Sequence, residues 1–184
     1  MTRLLIIHGT DRPTRKGISV SRAFEEVART TTDFDVQLAD LQQIALPFFN
    51  EEEHPRSGNY QLEHTKAWAA TVAAADVIVW ATSEYNAGYP APLKNAIDYL
   101  YNEWTGKPLG IIAWGAGGGG ASAAGMLRQV GERMKMRVVG EALLYPSFTS
   151  DVDEAGVLHP SEEWRASAVE LLAQLREAAR STDE

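Results

Sequence analysis

The 184-residue sequence carries 25 acidic against 17 basic residues, a formal charge of −8, with 45% hydrophobic positions and five Trp. One substantial core is expected, so residues 1–184 read as a single domain, and the acidic balance argues against nucleic acid or an anionic membrane as the main partner. The absence of cysteine removes disulfides, thiolate catalysis and Cys-held metal or iron–sulfur centres, so any redox chemistry must come from a bound cofactor.

The chain passes from Met1-Thr2-Arg3 directly into Leu4-Leu5-Ile6-Ile7, an apolar run too short for a signal peptide or a membrane span; a cytoplasmic location is expected. Strands are predicted over residues 4–8, 35–41, 77–82, 109–114 and 138–144, as short apolar runs bounded by turn residues. Between and after them five segments have helical period. Val20, Ala23, Phe24, Val27 and Ala28 mark the first, and Leu62, Trp68, Val72 and Ala75 the second. Leu93, Ala96, Ile97, Leu100 and Trp104 mark the third, Leu127, Val130 and Met134 the fourth, and Trp164, Ala168, Leu171, Leu172, Leu175 and Ala179 the last. Right-handed crossovers then give an α/β domain of three layers. Its five-stranded parallel sheet has the order 2-1-3-4-5, with helices on both faces and ligands at the carboxyl ends of the strands. The longest irregular stretch, residues 44–60, holds Glu51, Glu52 and Glu53 and reads as a solvated loop.

Three loops fall together in that topology. The first runs Gly9-Thr10-Asp11-Arg12-Pro13-Thr14-Arg15-Lys16-Gly17-Ile18-Ser19-Val20. A strand, a glycine-containing loop and a helix amino terminus offer unpaired N–H groups and a positive dipole end, which suit an anion. Three basic residues within an otherwise acidic chain, with hydroxyls from Thr10 and Ser19, suit a phosphate. On local sequence alone Ser19 as a simple helix cap competes with that reading. No Gly-Lys-Ser/Thr follows and no G-x-G-x-x-G occurs here, so one terminal phosphate is favoured over a pyrophosphate.

The second loop, Ser83 to Leu93, contains Tyr85, Tyr89, Pro90 and Pro92; prolines stiffen it and the tyrosines offer flat faces for a planar ring. The third, Trp114 to Ser122, contains five glycines. Gly115, Gly117 and Gly120 spell G-x-G-x-x-G, and Glu141 follows 21 residues later, as in a dinucleotide fingerprint. Glu141 reads as lying inside a strand rather than at its end, which argues against a Rossmann dehydrogenase. A glycine run fits the edge of a flat ligand equally well. His8, His54, His64 and His159 have no metal spacing and read as structural or solvated.

Together these loops resemble the NADPH-dependent FMN reductase family, flavodoxin-like enzymes that include quinone, azo-dye and chromate reductases. The family's first loop has the form G-S/T-x-R, one branch continuing with Pro, a second basic residue, Gly and Val; here those positions are Gly9, Thr10, Arg12, Pro13, Arg15, Gly17 and Val20. Its central signature, E-Y-N-x-x-x-P-x-x-L-K-N-A-I-D, matches Glu84 to Asp98 nearly position for position. Ser83 stands where proline is frequent, Ala87 where some relatives carry histidine, and the glycine run is longer than usual. The resemblance implies a flavodoxin-like fold, FMN as cofactor and NADPH or NADH as co-substrate. Hydride would pass from nicotinamide C4 to flavin N5, and electrons then to a small-molecule acceptor at the same face. It places Thr10, Arg12, Arg15, Gly17, Ile18, Ser19 and Val20 at the FMN phosphate. Ser83, Glu84, Tyr85, Asn86 and Ala87 would border the isoalloxazine, and Trp114, Gly115, Gly117 and Gly118 would lie at its N1 and C2 carbonyl edge. It also implies a homodimer or homotetramer. Tyr85, Tyr89, Trp114 and Phe148 are candidates to wall the acceptor pocket. A flavodoxin-type electron carrier and a non-catalytic flavin-binding protein stay open as alternatives.

Overall fold

The alternation of buried runs and amphipathic segments produces a single parallel sheet. In the computed structural model, which describes residues 1–181, β1 (Arg3–His8) leads to α1 (Ile18–Thr31), β2 (Asp35–Asp40) and a one-turn α2 (Leu41–Ile44). Then follow α3 (Glu63–Ala73), β3 (Val77–Ser83), α4 (Ala91–Asp98), β4 (Pro108–Gly115), α5 (Ala121–Arg133), β5 (Arg137–Val138), β6 (Leu143–Pro146) and α6 (Glu162–Arg180). The strand order is β2-β1-β3-β4-β5, with β6 also pairing β4, all parallel.

Every residue of β3 is buried, as a central strand covered on both faces requires. Leu4 and Ile6 face one hydrophobic cluster, roofed by α1 and α6; Leu5 and Ile7 face the other, roofed by α3, α4 and α5. In the second cluster Trp68, Trp80 and Trp104 meet edge to face at centroid distances of 5.9 and 6.3 Å. Among the described residues no helix is long and apolar enough to cross a membrane.

Several local readings of the sequence need correction. The fifth strand is split: Arg137 and Val138 pair with Pro108 and Leu109, whereas Leu143 pairs with Ile112. The register slips by two residues between them, across a bulge that contains Gly140 at φ 58°. Glu141 therefore sits in that bulge, exposed, and not inside a strand. The third helix ends at Asp98; Leu100 and Trp104 reach the core from the turn beyond it, where Trp104 Nε1 donates to the Ile97 carbonyl. Glu51 is not solvated. It is 9% exposed and its carboxylate accepts the Gln61 and Leu62 N–H groups at 3.0 Å, just ahead of α3. Ser19 does not cap α1; Gly17 holds that position without a side-chain bond, and Ser19 Oγ donates to the Lys16 carbonyl.

Candidate functional site

The carboxyl ends of β1, β3 and β4 bring the three loops to one edge of the sheet. A cleft of about 480 Å³ opens there, lined from the first loop by Thr10, Arg12, Thr14, Arg15, Lys16 and Gly17. Ser83, Glu84 and Tyr85 line it from the second loop, Trp114 and Gly115 from β4, and Phe148 and Thr149 from the 3₁₀ turn after β6. A larger groove of about 770 Å³ lies between β6 and α6, but its ionisable lining is Glu141, Asp151, Glu163 and Glu170 together with Tyr145. Carboxylates without a balancing cation repel a phosphate, whereas the smaller cleft brings Arg12, Arg15 and Lys16 to one wall.

The electrostatics of the first loop follow from what each basic residue touches. Arg12 and Lys16 are exposed and have no acidic partner among the described residues. Arg15 lies 9% exposed and is engaged: one terminal nitrogen pairs with Asp40 and the other donates to Gln42. Its Nε is left buried with no partner among the described residues. The Ser19 and Val20 N–H groups donate back to Lys16 and Gly17 carbonyls at 3.0 Å. Those of Gly17 and Ile18 have no acceptor among the described residues, leaving two donors at the positive end of the 14-residue α1. The loop rests on Trp114, whose 2%-exposed indole stacks on His8 at 5.5 Å. A Cβ at Gly17 would stand 2.4 Å from Trp114 Nε1.

The second loop turns through Asn86 and Ala87, at φ 50° and 63°, between reciprocal Tyr85–Gly88 backbone bonds of 2.8 and 3.0 Å. Two consecutive positive φ values are the geometry of a tight primed hairpin turn. It holds Tyr85 at 42% exposure. Glu84 points the other way, and its Oε2 accepts the Ser122 and Ala123 N–H groups at 2.9 and 3.2 Å. The amino terminus of α5 thus already holds an anion from within the chain. That occupancy, with Glu141 in a bulge, removes the pyrophosphate site a Rossmann reading would need.

In the glycine loop the strict demand falls on Gly119, which the sequence reading did not mark, and on Gly120, which it marked only as the last glycine of a dinucleotide fingerprint. Gly119 and Gly120 have φ of 61° and 89°, and a Cβ at Gly120 would lie 2.7 Å from Ala113 Cβ and Trp114 N. At Gly117 and Gly118 a Cβ would meet nothing within 4 Å. Of the residues expected at the cofactor, Thr10, Arg12, Arg15, Gly17, Ser83, Glu84, Tyr85, Trp114 and Gly115 line the cleft; Ile18, Ser19, Val20, Asn86, Ala87, Gly117 and Gly118 do not. Thr14 and Thr149 also line it. Thr14 stood inside the first loop, but Thr149 carried no sequence signal, because a 3₁₀ turn after a short edge strand has no period to read.

The donor set fits FMN. Among the described residues, two cations without an acidic partner, two helix N–H groups without an acceptor and the partnerless buried Arg15 Nε suit a terminal phosphate. The partnerless buried Ser83 Oγ, the exposed Tyr85 ring and the open space beside Gly117 and Gly118 suit a planar ring edge.

Comparison with known proteins points the same way. The chain is 39% identical over 173 residues to an NAD(P)H-dependent FMN reductase of Schizosaccharomyces pombe, covering 92% of this chain and 84% of that one. It is 29% identical to an NADPH:quinone oxidoreductase of Arabidopsis thaliana, over 81% of this chain and 74% of the relative. The fold superposes on the flavoenzyme NAD(P)H:(acceptor) oxidoreductase FerB from Paracoccus denitrificans with a TM-score of 0.74 at 17% identity, over 97% and 99% of the two chains. A model of the NADPH-dependent FMN reductase family matches residues 2–150. With its flavodoxin-like strand order and phosphate-shaped first loop, the chain belongs to the NADPH-dependent FMN reductase family.

Proposed function

We propose that the protein is an FMN-dependent oxidoreductase that carries electrons from NADPH or NADH to a small-molecule acceptor such as a quinone, an azo compound or free flavin. The observation that carries this is the cleft itself, in which the cationic, donor-rich first loop adjoins Ser83, Tyr85, Trp114 and Gly115. Bound FMN supplies hydride chemistry between nicotinamide and acceptor. The chain supplies position and field. Arg12, Lys16 and the Gly17 and Ile18 N–H groups hold the phosphate, with Thr10 and Arg15 beneath it and Ser19 and Val20 fixing the helix start. Ser83, Glu84 and Tyr85 would border the ring with Asn86 and Ala87 behind them in the turn, while Trp114 and Gly115, with Gly117 and Gly118 next along the loop, would supply N–H groups suited to negative charge on the cofactor.

Purified protein incubated with FMN is expected to turn yellow and to oxidise NADH or NADPH when benzoquinone is supplied. Flavin binding without oxidation of either nucleotide would indicate a carrier or a non-catalytic binder, and no flavin binding would overturn the reading. Arg12→Ala is expected to weaken FMN binding by about 1.5–3 kcal/mol, the loss of one charge-assisted contact; an unchanged dissociation constant removes Arg12 from the site.

We also read residues 1–184 as one domain that self-associates. Phe48 is 84% exposed on a loop braced by Asn95, which accepts from Phe49 N and donates to the Pro47 carbonyl. Phe48 stands at the wall of a groove of about 600 Å³ whose apolar lining continues through Leu41, Ala45, Leu46, Pro47, Ala91 and Pro92, with Asp11, Gln42 and Asn95 as its polar members. An exposed apolar side chain at a mainly apolar groove suits a two-fold interface. Light scattering should return a dimer or tetramer mass.

A further inference from the structure

His8 closes β1 directly beneath the first loop and is fully buried. Its Nδ1 lies 2.8 Å from Ser21 Oγ in α1, and its Nε2 lies 2.8 Å from Thr10 Oγ1. Burial, followed by the nearby Arg15 and Arg22 charges, lowers its pKa to about 3. The ring is therefore neutral in ordinary buffers, with one N–H and one lone pair for two hydroxyl partners.

Two hydrogen-bond directions satisfy the ring, and they differ in which hydroxyl keeps a free proton. If Thr10 donates to Nε2, then Nδ1–H donates to Ser21, and the Ser21 proton is left over. Ser21 is fully buried and has no other acceptor among the described residues, so that direction strands a buried O–H. In the opposite direction Ser21 donates to Nδ1 and Nε2–H donates to Thr10 Oγ1. The free proton is then that of Thr10, which is itself 2% exposed but lines the cleft, where a phosphate can accept it. Access to the cleft from Thr10, and none from Ser21, selects this second direction.

We propose that Ser21 and His8 form a relay that fixes the Thr10 hydroxyl as a donor aimed at the cofactor phosphate, which makes His8 a positioning residue for FMN. The inference rests on the placement of the phosphate in the first loop. It separates His8 from a core histidine that is merely satisfied, because the relay has a polarity and an external acceptor.

The experiment uses the full-length apoprotein and titrates FMN and riboflavin, which differ by the phosphate, through flavin fluorescence. His8→Leu is expected to weaken FMN about 10-fold, the loss of one oriented hydrogen bond, with riboflavin changed less than twofold. His8→Gln, whose amide N–H replaces Nε2–H, recovers most of the loss. Thr10→Val gives a similar loss, and adding His8→Leu to it gives no further one. Equal losses for FMN and riboflavin, or losses that multiply in the double variant, would overturn the relay. Ser21→Ala removes the relay's first donor with little change in volume, so a few-fold loss confined to FMN supports the proposal even where His8→Leu does not fold. Nitrogen-15 spectra of the apoprotein give a readout without flavin: His8 protonated on Nδ1 instead of Nε2 would sink the proposed direction. If Arg12→Ala and Thr10→Val both leave FMN affinity intact, the phosphate placement itself has failed, whereas a loss in those two with none in His8→Leu rejects the relay alone.

Discussion

Gly17 is where the cofactor loop and the core press on each other. The atoms its Cβ would meet belong to the Trp114 indole, at 2.4 to 2.7 Å, and that ring is pinned between His8 and the edge of Phe148. A rigid buried indole cannot swing aside as the end of a lysine could. Gly17→Ala is expected to cost about 1–3 kcal/mol, the usual penalty for overpacking, and to lower FMN affinity by displacing the first N–H groups of α1. Thermal unfolding and a flavin titration check both parts; a variant equal to the parent in both would show that the loop has more freedom than this contact allows. Neighbouring Arg15 shows where residue type stops being informative. The sequence displays it beside Arg12 and Lys16 as one of three equivalent cations, yet Asp40, 25 residues away, takes its charge. Only the pairing of β1 with β2, which sets His8 opposite Asp40, reveals that partner.

The elements themselves were largely legible, because apolar runs and helical stripes survive in a sequence read one segment at a time. Contacts between loops and distant helix ends were not. Glu51, the first of three consecutive glutamates, looks solvated, and becomes buried because the chain folds back to set it against the two N–H groups just ahead of α3. Glu84 was legible as a member of a family signature, but its task is visible only in three dimensions: it ties the second loop to the start of α5, 38 residues on. Glu84→Ala therefore leaves the Ser122 and Ala123 N–H groups without their acceptor at a positive helix end. The expected cost is about 1 kcal/mol, comparable to loss of a helix cap, with faster amide exchange across the glycine loop and the first turn of α5. Exchange unchanged in that segment would mean that Gly119 and Gly120, not Glu84, hold the loop. The split of the last strand was illegible for a related reason. A two-residue slip around Gly140 leaves the apolar pattern of residues 138–144 intact while moving its hydrogen bonds.

At the scale of the whole molecule the site lies at the switch point between β1 and β3, where the strand order reverses and loops diverge to leave a crevice. Placing a histidine at that point, fully enclosed, ties stability to pH. His8 has a folded pKa of about 3 against 6.5 when free, so below pH 6.5 the unfolded chain binds a proton that the folded chain refuses. Its contribution is complete above pH 6.5 and is lost as pH falls toward 3, by at most about 1.4 kcal/mol per pH unit. Glu51 acts with the same sign at lower pH. Burial opposes its charge, but the Gln61 and Leu62 N–H groups outweigh burial and hold its pKa below the ordinary 4.5, so its contribution is lost only as pH drops beneath that value. Between pH 6.5 and 4.5 His8 acts without Glu51. The urea midpoint of the apoprotein should fall steadily over that interval, and His8→Gln, which cannot take up a proton there, should flatten the fall. An equally steep slope in the variant would place the acid sensitivity on other groups and show that His8 is not held neutral by its enclosure.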